Sequence, residues 1–102
     1  MLKGVLELAV LAVLSKGETY GYDIVSRLEA AGFNGVGDAS VYGTLRRLEE
    51  AGHLRSRLQN SASGPARKYY AVTESGSEAY AAGAETWRRI EGAVDSLIGG
   101  RR

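Results

Sequence analysis

Apolar residues crowd the first fifteen positions, where Val5, Leu6, Leu8, Ala9, Val10, Leu11, Ala12, Val13 and Leu14 leave almost no polar face. At helical pitch they cover nearly the whole circumference, so the helix predicted over residues 3–15 needs more than one covering partner. Lys16-Gly17-Glu18 ends it, and Thr19 is placed to cap a second helix. In that helix Tyr22, Val25, Leu28 and Glu29 recur at helical spacing up to Ala31-Gly32. After a loop at Asn34-Gly35-Val36-Gly37, Asp38 or Ser40 caps a third helix, with Val41, Leu45, Leu48 and Ala51 along one stripe and Gly52 as its stop. Residues 54–58 alternate apolar with Arg and Ser, as do Tyr70, Val72 and their neighbours. Between them Asn60-Ser61-Ala62-Ser63-Gly64-Pro65 reads as a turn-rich connection, so two strands joined by a flexible loop are predicted. From Thr73, a good N-cap, to about Ile98 only isolated glycines interrupt a last helix of some 25 residues.

Composition narrows the chemistry. At 102 residues with 44% apolar and 25% charged positions the chain is one small globular unit. It has no Cys and one His, which excludes a disulfide framework and thiolate or multi-imidazole metal sites, and no cofactor is expected. His53 reads as a capping or surface residue. Gly32, Gly35 and Gly37 follow no strand and match no phosphate-loop spacing, so they read as a tight turn. Lys3 and Glu7 interrupt the apolar start, so neither a signal peptide nor a membrane span is expected, and the location expected is cytoplasmic. The scattered carboxylates Glu7, Glu18, Asp23 and Glu91, without a Ser elbow, Cys or His partner, argue against an enzyme.

The net charge of +1 hides an uneven distribution: residues 1–38 carry −2, residues 39–70 carry +4 and the remainder −1. The basic middle holds Arg46, Arg47, Arg55, Arg57, Arg67 and Lys68, a bias that suits a polyanion. Three helices followed by a basic hairpin is the plan of a winged helix-turn-helix, in which the third helix enters the DNA major groove. The fold expected is therefore mainly α (α+β), with a two-stranded wing and a long C-terminal dimerisation helix. The winged-helix domain would span residues 1–73 and the dimerisation helix residues 74–102. Ser40, Tyr42, Gly43, Arg46 and Arg47 lie off the apolar stripe of the third helix, where hydroxyl, phenol and guanidinium groups can face DNA. Tyr22 is a candidate phosphate contact, and Arg67 and Lys68 beside the wing loop would bring affinity rather than base choice. Tyr20 reads as packing the second helix against the hairpin, and Tyr69 and Tyr70 as filling alternating strand positions.

These residues resemble those of PadR-like transcriptional regulators, winged-helix repressors. The resemblance runs from Leu2-Lys3-Gly4 through Tyr20-Gly21-Tyr22-Asp23-Ile24 and Ser40-Val41-Tyr42-Gly43-Thr44-Leu45-Arg46-Arg47-Leu48-Glu49. It continues through Gly64-Pro65-Ala66-Arg67-Lys68-Tyr69-Tyr70 and Val72-Thr73-Glu74-Ser75-Gly76. Gly43 stands where the family often has Pro, and Gly64-Pro65-Ala66 where it often has Arg, which implies a weaker grip on phosphate. The resemblance implies a homodimeric repressor on a pseudo-palindromic operator. The short chain is similar to the subfamily in which a single C-terminal helix crosses to a second copy. Gly83, Trp87, Ile90, Val94 and Leu97 follow the 4, 3, 4, 3 spacing of a helix seam, so Trp87, Ile90, Val94 and Leu97 are the dimer residues expected.

Some members of that subfamily are similar to multidrug sensors that stack flat aromatic or cationic effectors on Trp. By that match Leu8, Leu11, Tyr80, Gly83, Ala84, Trp87 and Glu91 would line such a cavity, with Glu91 as counter-charge. Trp87 is thus open to two readings, a core anchor of the dimer or a ligand platform. Two rival functions also stand: a winged-helix protein-interaction module, and a DNA-binding regulator without a small-molecule effector.

Overall fold

The computed structural model describes residues 2–62 and 64–99. Its elements are α1 (Leu2–Leu14), β1 (Thr19–Tyr20), α2 (Gly21–Ala30), α3 (Asp38–Glu50), β2 (Leu54–Ser61), β3 (Gly64–Val72) and α4 (Glu74–Ile98). The all-round apolar α1 is the central helix and meets α2, α3 and α4, which is why it has no wholly polar face. Leu6, Val10, Leu11 and Leu14 of α1 pack with Ile24, Val25 and Leu28 of α2, with Val41, Leu45 and Leu48 of α3, and with Leu54 and Tyr70 of the sheet.

The sheet has three antiparallel strands in the order β1-β3-β2, not two, because Thr19 and Tyr20 pair with Tyr70 and Tyr69. Two residues carry no period that a sequence pattern could reveal. Thr19 is consequently not the cap of α2. It is buried in β1 and its Oγ1 donates to Asp23 Oδ2 at 2.7 Å, while Asp23 also pairs with Arg27 at 3.0 Å. Tyr20 occupies the N-cap position without a side-chain hydrogen bond.

The cap of α3 is likewise neither Asp38 nor Ser40 but Gly37, in extended backbone, with Asp38 in the first turn where its charge favours the helix dipole. At its other end Gly52 adopts a φ of +87°. The Gly52 N–H donates to the Glu49 carbonyl at 3.0 Å and the His53 N–H to the Leu48 carbonyl at 2.9 Å, a Schellman ending. The wing is longer than the turn-rich composition of residues 60–65 implies, since pairing runs out to Ser61 and Gly64. Pro65 is accommodated at the register shift between Gln59 and Ser61, where the ladder is already interrupted.

Thr73 caps α4 as expected, its Oγ1 accepting from the Gly76 N–H at 3.1 Å. The same hydroxyl donates to the Gly52 carbonyl at 2.6 Å and Ser75 Oγ donates there at 3.1 Å. The Thr73 N–H donates to the His53 carbonyl at 3.1 Å. The start of α4 is thereby tied to the end of α3. Gly76 is the one buried residue of α4; Ala79 and Tyr80 pack against the core, and the helix continues along α1 toward Ile98 in a molecule measuring 53 × 28 × 20 Å.

Candidate nucleic-acid interface

The start of α2, the outer face of α3 and the root of the wing converge on one groove of about 460 Å³, lined by Tyr20, Gly21, Tyr22, Tyr42, Arg67, Lys68 and Tyr70. Gly21 is what allows the convergence. A Cβ there would overlap the Tyr42 ring, so only glycine lets α3 lay that tyrosine on the first turn of α2. Tyr42 keeps its other face open, and Tyr22 projects at the rim with 69% of its surface exposed. Ser40 and Arg46 are exposed on the same helix, and Ser40 lends its carbonyl to Thr44 Oγ1 at 2.8 Å. Gly43 is half-buried, and a Cβ at its position would only touch Arg47 Nη1 at 3.7 Å, so sterics do not require it.

The two arginines of α3 part company. Arg46 points to solvent, whereas Arg47 turns back onto α1. Arg47 Nε lies 3.4 Å from Glu7 Oε2 and Nη2 donates to Thr44 Oγ1 at 3.0 Å. The helical position of Arg47 next to buried Thr44 decides this, because a residue three places on lies over the same face.

On the wing, Lys68 Nζ stands 3.6 Å from Glu49 Oε1 and 5.5 Å from the Tyr70 ring centre. Glu49 also accepts from Ser56 Oγ at 2.6 Å. Arg57 pairs with Glu18 at 2.6 Å and sits 5.3 Å from the Tyr69 ring centre. The hydrogen bond from Arg57 holds the Glu18 carboxyl below its ordinary pKa, and the same bond raises that of Arg57. Burial pushes the Tyr70 phenol upward, in keeping with its place in the core. Arg67 lies 4.5 Å from the centre of the Tyr20 ring, which itself packs at 5.4 Å and 56° on Tyr69. The pairing of Arg57 with Glu18 and the contact of Tyr20 with Arg67 both cross between elements far apart in sequence, so periodicity within one element could not have found them.

A second groove of about 460 Å³ runs between α1 and α4, lined by Gly4, Val5, Leu8, Ala82, Gly83, Thr86, Trp87 and Ile90. The helices approach closely there, since a Cβ on Gly83 would come within 3.1 Å of Leu8 Cδ1. Leu8, Gly83 and Trp87 of the expected ligand set meet in this groove. Leu11 does not: it is 4% exposed and belongs to the core. Tyr80 packs against the core, and Ala84 and Glu91 lie outside the lining. Trp87, Ile90, Val94 and Leu97 form an exposed apolar row. Among the described residues no group of His, Cys, Asp or Glu is arranged to hold a metal ion, and no helix is long and apolar enough to cross a membrane.

Comparison with known proteins agrees with this fold. The model of the transcriptional regulator PadR-like family matches residues 10–82, from the middle of α1 into α4. The negative transcriptional regulator PadR of Bacillus subtilis (strain 168) is 33% identical over 76 residues. Those are 72% of this chain and 42% of that protein, so the chain spans under half of that relative. The crystal structure of a PadR-like transcriptional regulator from Bacillus cereus strain ATCC 14579 superposes with a TM-score of 0.87 at 36% identity, covering 99% of this chain and 98% of the other. The structure of Bacillus subtilis PadR in complex with operator DNA has a TM-score of 0.67 at 31% identity, covering 74% of this chain and 44% of that one. The family is one of transcriptional regulators rather than enzymes. With its winged helix-turn-helix fold and a family match over most of its length, the chain belongs to the PadR-like family of transcriptional regulators.

Proposed function

We propose that the chain is a sequence-specific DNA-binding repressor acting in the cytoplasm as a homodimer. Residues 1–73 would grip the operator and the helix of residues 74–102 would join the two copies. The observation that carries this reading is the convergence of α2, α3 and the wing on one groove bearing Arg67, Lys68 and four tyrosines, beside exposed Ser40 and Arg46. Support also comes from the similar Bacillus subtilis protein, which is described as a negative regulator and was solved with operator DNA. Two α3 helices would enter successive major grooves of a pseudo-palindromic site, its half-sites one helical turn or a multiple apart.

The test is fluorescence anisotropy of a labelled duplex from upstream of the coding sequence, beside a scrambled duplex, at two salt concentrations. Tighter binding to the native duplex by more than about tenfold, or 1.4 kcal/mol, is expected. Equal, weak binding to both would sink the reading in favour of a protein-interaction module. Arg46→Ala is expected to relax base choice at one position by about 1–3 kcal/mol; a loss equal for every sequence would place Arg46 on phosphate instead. Arg47 is engaged with Glu7, so it serves as a DNA ligand only if that pair opens. For Lys68→Ala the expectation is uniform weakening and a salt slope shallower by about one; an unchanged slope would remove Lys68 from the interface.

A small aromatic or cationic effector is the second part of the reading, favoured by the apolar groove beside the 42%-exposed Trp87. Quenching of Trp87 emission by planar cations, with release of the duplex, supports it. A flat titration leaves a regulator without an effector.

A further inference from the structure

Four residues form a ladder across one face of the three-stranded sheet: Arg57 on Tyr69, Tyr69 on Tyr20, and Tyr20 under Arg67. The register explains it, because Arg57 and Tyr20 both sit opposite Tyr69 and Arg67 stands two residues before Tyr69 on the same face of β3. The wing cations at its root are not held alike. Arg57 is paired with Glu18 and Lys68 with Glu49, so a carboxylate already offsets much of each charge. Arg67 has no carboxylate partner among the described residues; what it touches is the neutral face of Tyr20. A ring face orients a guanidinium without cancelling its charge, which a carboxylate cannot do.

Tyr20 also occupies the N-cap of α2, a position where Ser, Thr, Asp or Asn would satisfy a free backbone N–H. Here that hydrogen bond is forgone for a ring.

From these observations we infer that Tyr20 is the positioning residue of the wing: its ring holds Arg67, offset by no described carboxylate, over the groove between α2 and α3, where a DNA phosphate would lie. This rests on the DNA-binding reading above. Because Tyr20 belongs to β1 and leads directly into α2, the wing takes its bearing from the helix-turn-helix rather than from its own hairpin.

The experiment is a mutant cycle on the full chain with Tyr20→Phe, Tyr20→Leu, Arg67→Ala and the Tyr20→Leu/Arg67→Ala double variant. It is read by duplex anisotropy at several salt concentrations and by NMR ring-current shifts of the Arg67 side chain without DNA. Tyr20→Phe keeps the ring and should match the parent in both. Tyr20→Leu should lose the ring-current shift, weaken duplex binding roughly three- to tenfold and flatten the salt slope toward that of Arg67→Ala. In the Arg67→Ala background, Tyr20→Leu should cost nothing more. An equal loss in both backgrounds, or a Tyr20→Phe that behaves as Tyr20→Leu, overturns the positioning role. An Arg67→Ala that binds like the parent overturns it while leaving DNA binding intact. A parent chain that fails to prefer the native duplex defeats the DNA-binding reading itself, and the positioning role with it.

Discussion

Gly76→Ala is expected to lower the stability of the fold by about 3 kcal/mol, even though alanine is the better helix former. In an open stretch of helix the exchange would stabilise by up to about 1 kcal/mol. Gly92, on the same helix with open space where a Cβ would stand, provides that reference. At Gly76 the added Cβ would overlap the His53 carbonyl oxygen, a backbone atom that cannot swing aside. The helix start must then lift from the end of α3. Lifting it strains the Thr73 N–H bond to His53 and the Thr73 and Ser75 hydroxyl bonds to the Gly52 carbonyl. Overpacking costs about 1–3 kcal/mol, and each weakened hydrogen bond about 1 more. For a chain of this size the melting temperature should fall by roughly 10–20 °C, while Gly92→Ala leaves it unchanged or raises it. Thermal melts of both variants at one protein concentration check this; equal melting temperatures would show that the joint relaxes freely.

The second large effect is expected at the outer face of α4, where Val94→Asp should convert the protein to a monomer at micromolar concentration. Val94 is 45% exposed and lies between Ile90 and Leu97 in the apolar row, while Leu97 is 86% exposed. Among the described residues of one chain these side chains are left exposed. In the proposed dimer an aspartate here is buried from each protomer, two like charges that neither water nor a cation relieves. The helix itself should persist, since Val94 supports no part of the chain's own core. Specific duplex binding should weaken about a hundredfold or more, because the second half-site is no longer tethered to the first. Sedimentation alongside circular dichroism distinguishes dissociation from unfolding. A variant that stays dimeric with parental affinity would move the interface to another surface.

The helices were legible in the sequence, α1 as a nearly continuous apolar run and α2, α3 and α4 by apolar positions at helical spacing, and Thr73 announced the start of α4 by its position alone. β1 was not legible, since two residues cannot show a period, and with it went the true role of Thr19, whose hydroxyl serves Asp23 rather than the helix end. The wing was shortened by its composition: Asn, Ser, Gly and Pro read as a loop, yet strand pairing resumes beyond the register shift at Ser61 and Gly64.

Within the candidate site, charge and position pointed to α3 and the wing, but not to which arginine would be engaged by the protein itself. That depends on Glu7, forty residues away, as the assignment of Leu11 to the core depends on which sides of α1 are covered. Because α1 is apolar nearly all round, periodicity could not choose between those sides.

The joint at Gly76 has one more consequence, which follows from length. The 22 helical residues beyond Gly76, ending at Ile98, make an arm of about 33 Å, so a tilt of about five degrees at the joint carries Ile98 sideways by about 3 Å. The same tilt moves the atoms of Gly52 and His53 by only a fraction of an ångström, little enough for their hydrogen bonds to survive. A displacement of the far end of α4 about this joint would therefore arrive at the end of α3 much reduced.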